Sequence, residues 1–187
     1  MPRLPRFLAA GLLLFAAVLV LTALLLPRWT GPIAAAVFVP MWYFIAVVNA
    51  WLGVATAGYP LRAELPVFGL VFGIPAAVAI TIGATASPTV TGGRLGFVWL
   101  AGAALWAAIL LLIGLLAQTS EVYGPGALIF GPLWLIICVV NLVIGVQTAG
   151  YAVPEELPIL AANLALPLAI ALAVAWLSRR SKPSTTP

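Results

Sequence analysis

Between Arg6 and Arg179 the chain carries only seven charged residues, and each falls in or beside a short break between apolar runs. They are Arg28, Arg62, Glu64, Arg94, Glu121, Glu155 and Glu156. The breaks leave six runs, at about residues 7–26, 33–57, 65–84, 95–117, 127–149 and 157–177. Each run has about the 20 residues a helix needs to cross a hydrocarbon core. Lipid offers the backbone no hydrogen-bond partner, so only helices or closed barrels span it. The runs show no period-two alternation, and the sequence predicts an all-α polytopic membrane protein with six transmembrane helices. Composition agrees: 65% of residues are apolar and 6% are charged, against roughly 25% charged in a soluble domain. The first run has a basic flank like a signal peptide, but its core continues through Leu24, Leu25 and Leu26 into Pro27 and Arg28 without a small-residue cleavage site. It is read as a retained helix.

A second feature is duplication. At a shift of 92 residues, Phe38–Pro66 matches Phe130–Pro158 at 16 of 29 positions without a gap. Pro40, Trp42, Asn49, Gly53, Tyr59, Glu64 and Pro66 meet Pro132, Trp134, Asn141, Gly145, Tyr151, Glu156 and Pro158. Apolar bias aligns leucines and alanines; it does not align Trp, Asn, Tyr, Glu and Pro. The shift maps each of the first three runs onto one of the last three, which divides the chain into repeats at residues 1–92 and 93–187. Three helices per repeat is an odd number, so the second copy is expected to enter the membrane from the opposite side, giving two inverted three-helix repeats. The charge bias orients them. With the first run starting in the cytoplasm, Arg3, Arg6, Arg62, Arg179, Arg180 and Lys182 lie inside, and only Arg28 and Arg94 lie outside. This obeys the positive-inside rule and places the protein in the plasma (inner) membrane with both termini cytoplasmic. Six helices in two opposed triplets is also the arrangement of aquaporin-like channels. The paired NPA turns that define those channels are absent here, and the likeness is one of architecture alone.

The repeated phrase reads first as helix punctuation. Gly58 and Gly150 suit C-caps in the left-handed conformation. Tyr59 and Tyr151 suit the membrane interface. Glu64 and Glu156 open the following helices, where free amides and the helix dipole favour a carboxylate, and Pro66 and Pro158 are tolerated early in a helix. A functional reading stands beside it. Arg62 lies two positions from Glu64, whereas Glu155 and Glu156 are adjacent with no basic residue in their own loop. That pair suggests a cation or proton entry point. Trp42, Ala46, Asn49, Gly53 and Thr56 form one helical stripe, and Trp134, Cys138, Asn141, Gly145 and Thr148 form its copy. An amide facing lipid would leave its donors and acceptors unsatisfied, so both asparagines are expected inside protein, with the second helix packed on the fifth. The halves also diverge, with Gln147 in place of Ala55. The candidate ion or substrate pathway is therefore Asn49, Thr56, Glu64, Asn141, Gln147, Thr148, Glu155 and Glu156. Pro75 and Pro167 are matched interior prolines and hinge candidates; each frees the carbonyl four residues earlier, at Val71 and Asn163.

The missing residues exclude much chemistry. The chain has no histidine, one cysteine and one lysine. It lacks the ligands for a His-bound haem, a zinc site or an iron–sulfur cluster, and it carries no GxSxG, HExxH, P-loop or dinucleotide motif. No cofactor, metal or catalytic residue is expected. The basic residues cluster at the tails beside helix ends, which fits anionic lipid rather than nucleic acid. Two readings remain. One is a small transporter or channel for a proton, cation or small polar solute. The other is a noncatalytic subunit or assembly factor of a larger membrane complex, with a second copy or another integral-membrane protein as partner. The lipid bilayer is a partner in both.

Overall fold

The computed structural model describes residues 3–86, 93–148 and 150–180; Lys182 lies outside them. It contains six helices: α1 (Arg3–Leu25), α2 (Thr30–Ala55), α3 (Leu61–Thr85), α4 (Arg94–Leu116), α5 (Tyr123–Thr148) and α6 (Val153–Arg180), with a 3-10 turn at Pro27–Trp29 joining the first two. All six are long and apolar enough to span a bilayer. The protein is an all-α, polytopic integral membrane protein. Large apolar side chains cover its outside, including Phe44, Trp51, Leu128 and Ile136, as lipid requires.

α1, α3, α5 and α6 each begin four residues before the apolar runs, at positions 3, 61, 123 and 153 against 7, 65, 127 and 157. The first turn of a helix needs no internal amide partners, so it accepts Glu64, or Glu155 and Glu156, at no hydrogen-bonding cost; Pro66 and Pro158 fall at the sixth helical position instead, past the free amides, and each removes one helical hydrogen bond. The glycine caps form as the sequence predicts. Gly58 and Gly150 have φ of 73° and 76°. The Tyr59 amide then donates to the Gly53 carbonyl at 3.1 Å, and the Tyr151 amide donates to the Gly145 carbonyl at 3.3 Å. Each bond closes seven residues over the left-handed glycine, one more than the 6→1 bond of a Schellman motif.

The helices pack as two triplets. α1, α2 and α3 contact one another, as do α4, α5 and α6. The same nook recurs in each. The Trp42 indole N–H donates to the Val71 carbonyl at 2.8 Å, and the Trp134 indole N–H donates to the Asn163 carbonyl at 3.0 Å. These are the two carbonyls that Pro75 and Pro167 deprive of an amide. Each tryptophan thereby satisfies a buried acceptor that lipid could not. Glycines make room for the rings: a Cβ at Gly11 would lie 2.7 Å from Trp42 Cζ2, and one at Gly102 would lie 3.0 Å from Trp134 Cζ2. Phe38 stacks on Trp42 at 5.9 Å, and Phe130 stacks on Trp134 at 5.6 Å.

The triplets join along α1 and α4, not along α2 and α5 as the asparagine stripes suggested. The stripes face inward within their own triplets, because Trp42 and Trp134 must reach α3 and α6. The α1–α4 seam is built from Ala10, Leu14, Ala17, Ala101, Leu105 and Ala108, all buried; small residues let the backbones approach. Arginines tie both ends. Arg3 donates to the Leu115 carbonyl at 3.3 Å, and Arg94 donates to the Leu24 carbonyl at 3.2 Å. The start of each helix therefore meets the end of the other, and the two run antiparallel. Each guanidinium also sits where the partner helix's dipole favours positive charge.

Candidate functional site

The seam sets Arg3 and Arg94 at opposite ends of the central pair, and each borders a cleft inside its own triplet. The cleft of the second triplet has a volume of about 770 Å³. Arg94, Leu95 and Val98 of α4 line it, with Asn141 and Gly145 of α5, Tyr151 of the connecting loop, and Glu155, Glu156, Ile159, Ala162 and Asn163 of α6. The corresponding cleft of the first triplet holds only about 120 Å³, between Arg3, Leu4, Phe7, Asn49, Gly53, Glu64, Val67 and Val71.

Glu156 is the main chemical feature of the larger cleft. Its side chain is 5% exposed and lies against bare backbone, since a Cβ at Gly145 would fall 2.7 Å from its Cδ. No hydrogen bond or ion pair links its carboxylate to another described side chain. Its neighbour behaves differently. Glu155 is exposed, and its Oε2 accepts the Ala152 amide at 3.1 Å. That is the backward half of a capping box. The adjacent carboxylates thus separate into a helix cap and a buried group facing the cleft. Two turns deeper, Asn163 is 3% exposed, and its side-chain Oδ1 has no hydrogen-bond partner. The main-chain carbonyl of the same residue is taken by Trp134.

The first triplet repeats the frame without the vacancy. Glu64 also rests on a glycine, with a Cβ at Gly53 falling 2.6 Å from its Cδ. There, however, Arg3 reaches inward and donates to Asn49 Oδ1 at 3.4 Å. Phe7 stands where α4 has Val98, and Val71 stands where α6 has Asn163. A buried ring and a methyl-bearing side chain fill the space that the second triplet leaves open.

No family model, curated protein or solved structure matches this chain. The site is read from its geometry alone.

Of the sequence candidates, Asn141, Glu155 and Glu156 come together in the larger cleft, and Asn49 and Glu64 in the smaller. Thr56, Gln147 and Thr148 are exposed at the ends of α2 and α5 and line neither cleft. Pro75 and Pro167 are buried, and the carbonyls they free are taken by tryptophan. Sequence reading missed Arg3, Arg94 and the Asn163 side chain as site residues. A signal for the arginines exists: at a shift of 91 rather than 92, Arg3, Leu4, Ala10, Gly11, Leu14 and Ala17 meet Arg94, Leu95, Ala101, Gly102, Leu105 and Ala108. Among the described residues no three His, Cys, Asp or Glu side chains gather into a metal-binding group.

Proposed function

We propose that the protein is a small membrane transporter for a cation or small polar solute, protons included, with its site in the second triplet. The observation that carries this reading is the buried, unpaired Glu156 in a cleft that also holds Asn141 and an unsatisfied Asn163. A buried carboxylate without a partner is costly unless something cationic visits it, and ionisable groups within membrane spans commonly mark ion and substrate paths. The seam between α1 and α4 is apolar and closely packed, which favours a carrier over an open channel. The test is uptake of protons and of monovalent and divalent cations into liposomes. Glu156→Gln is expected to lower flux at least about tenfold, the scale of one lost charged hydrogen bond, while Glu64→Gln leaves it unchanged. Equal flux in wild type and Glu156→Gln would reduce Glu156 to a helix-end residue. The dry seam is also the observation that favours the alternative, a noncatalytic subunit or assembly factor of a membrane complex, and absence of any flux in wild type would select it.

The same reading takes the chain as two inverted repeats, residues 1–92 and 93–187, in the inner membrane, with α1 starting and α6 ending on the cytoplasmic side. The antiparallel α1–α4 pair and the matched Trp42 and Trp134 bonds support it. Pro60 and Ala152 are equivalent, exposed loop positions. In a background lacking Cys138, a cysteine at position 60 is expected to react with an impermeant reagent only from the cytoplasmic side, and one at position 152 only from outside. Labelling of both from one side would refute the inversion.

A further inference from the structure

The larger cleft is a polar ladder between apolar walls. Glu156 stands near its mouth, in the first turn of α6. Asn163 lies seven residues on, on the same face, about 10.5 Å farther along the axis. Asn141 falls between them, one turn from Gly145 toward Trp134. Leu95, Val98, Ile159 and Ala162 form the walls, and two further charges line the cleft: Arg94, which donates to the Leu24 carbonyl, and Glu155, which caps α6.

This spacing discriminates among cations. A bare divalent ion takes six or more oxygen ligands, but Glu155 is engaged in its cap and the remaining acceptors are spread along the ladder. A cleft of about 770 Å³ also exceeds what an unhydrated ion fills. An ammonium group carries three donors and suits a lone carboxylate. The deeper end is different: the Asn163 side chain is a neutral amide whose acceptor is unpartnered and covered by the surrounding packing. A second charge there would be buried without a counter-charge, whereas a hydroxyl or amide can donate to Asn163 Oδ1 once the side chain turns toward the cleft it lines. Taking the backbone rise of about 10.5 Å as the span between the two side-chain groups, two hydrogen bonds of about 2.9 Å leave about 5 Å between the ligand's polar atoms, the reach of three or four carbons.

We propose that the cleft binds a small primary amine whose ammonium meets Glu156 and whose hydroxyl or amide, three or four carbons away, meets Asn163, with the carbon chain against Val98 and Ile159. This names the substrate class of the transporter proposed above and rests on that reading. The first triplet is the same scaffold with the site closed: Phe7 fills it, Val71 removes the deep acceptor, and Arg3 engages Asn49.

The first triplet also supplies the test, because it shows that the scaffold folds with those residues. The protein is placed in phosphatidylcholine nanodiscs, whose lipid has no primary amine. Calorimetric titration compares aminopropanol and aminobutanol, each with its two groups at the chain ends, with propylamine and butylamine. The amino alcohols are expected to bind about tenfold more tightly than the alkylamines, the scale of one buried hydrogen bond. Asn163→Val should erase that difference and leave alkylamine affinity in place, a readout that a general loss of structure would not produce. Val98→Phe should block both classes, and Glu156→Gln should weaken both. Equal binding of the two classes, or no saturable binding, overturns the proposal. Displacement of the amino alcohols by added phosphatidylethanolamine overturns it as well, by assigning the primary ammonium to a lipid headgroup. Liposome flux separates the two levels: inorganic cation flux without amine binding removes this inference and leaves the transporter, while amine binding without flux of any tested solute leaves the site and removes the transporter.

Discussion

Gly31→Leu is expected to destabilise the protein by on the order of 3 kcal/mol, the upper range for overpacking a tight site. A Cβ at Gly31 would collide with the Ala86 carbonyl oxygen and approach the Gly83 oxygen to 3.0 Å and its Cα to 3.2 Å. These are backbone atoms and no rotamer change relieves them. Gly83 is equally confined, with Gly31 O at 3.0 Å from where its Cβ would be. The start of α2 and the end of α3 therefore touch backbone to backbone, and a larger residue must separate the helices. Gly69→Leu is the control. Nothing lies within 4 Å of a Cβ there, and loss of a mid-helix glycine is worth about 0.8 kcal/mol in favour of the helix. Denaturant unfolding in detergent reads both. A Gly31→Leu protein as stable as wild type would mean that this crossing is looser than described.

Gly145→Ala is expected to separate stability from function. Its Cβ would fall 2.7 Å from both Cδ and Oε1 of Glu156. The obstacle here is a mobile carboxylate, so the side chain moves and the helices stay. Alanine also favours the helix by up to about 1 kcal/mol over glycine. The melting temperature should hold or rise while liposome flux falls about tenfold or more, because the displaced carboxylate no longer faces the cleft. Gly53→Ala makes the equivalent intrusion on Glu64, at 2.6 Å from its Cδ, and should leave flux intact. Unchanged flux in Gly145→Ala would remove Glu156 from the site.

Much of the fold was legible because lipid leaves few choices. Charge spacing located six helices, and Gly58 and Gly150 announced their caps through backbone freedom that other residues lack. Pro75 and Pro167 pointed to free carbonyls at Val71 and Asn163, and both carbonyls prove to be bound. Their donors, Trp42 and Trp134, lie a helix away, and one-dimensional periodicity does not name a partner across space. For the same reason the stripes of Asn49 and Asn141 were assigned to the wrong neighbour: small residues and an amide suit any close helix. The α1–α4 seam was hidden by a single-residue change in register. A gapless shift of 92 sets Arg3 against Leu95 and conceals its match to Arg94. The unmet Asn163 acceptor follows from packing, since only the three-dimensional contact shows which of that residue's oxygens Trp134 leaves without a donor.

The α1–α4 seam also bears on how the chain is made. α1 leaves the ribosome before α4, and the face formed by Ala10, Leu14 and Ala17 has no partner there until α4 is complete, some 90 residues later. In water such a delay would leave a sticky surface waiting. In a bilayer it costs little, because acyl chains solvate alanine and leucine as readily as a neighbouring helix does, and association gains mainly from close packing and hydrogen bonds. Arg3 meanwhile waits at the interface, where a guanidinium can remain hydrated. The nascent protein can thus insert α1, α2 and α3 as a self-contained unit and postpone closure until α4, α5 and α6 arrive.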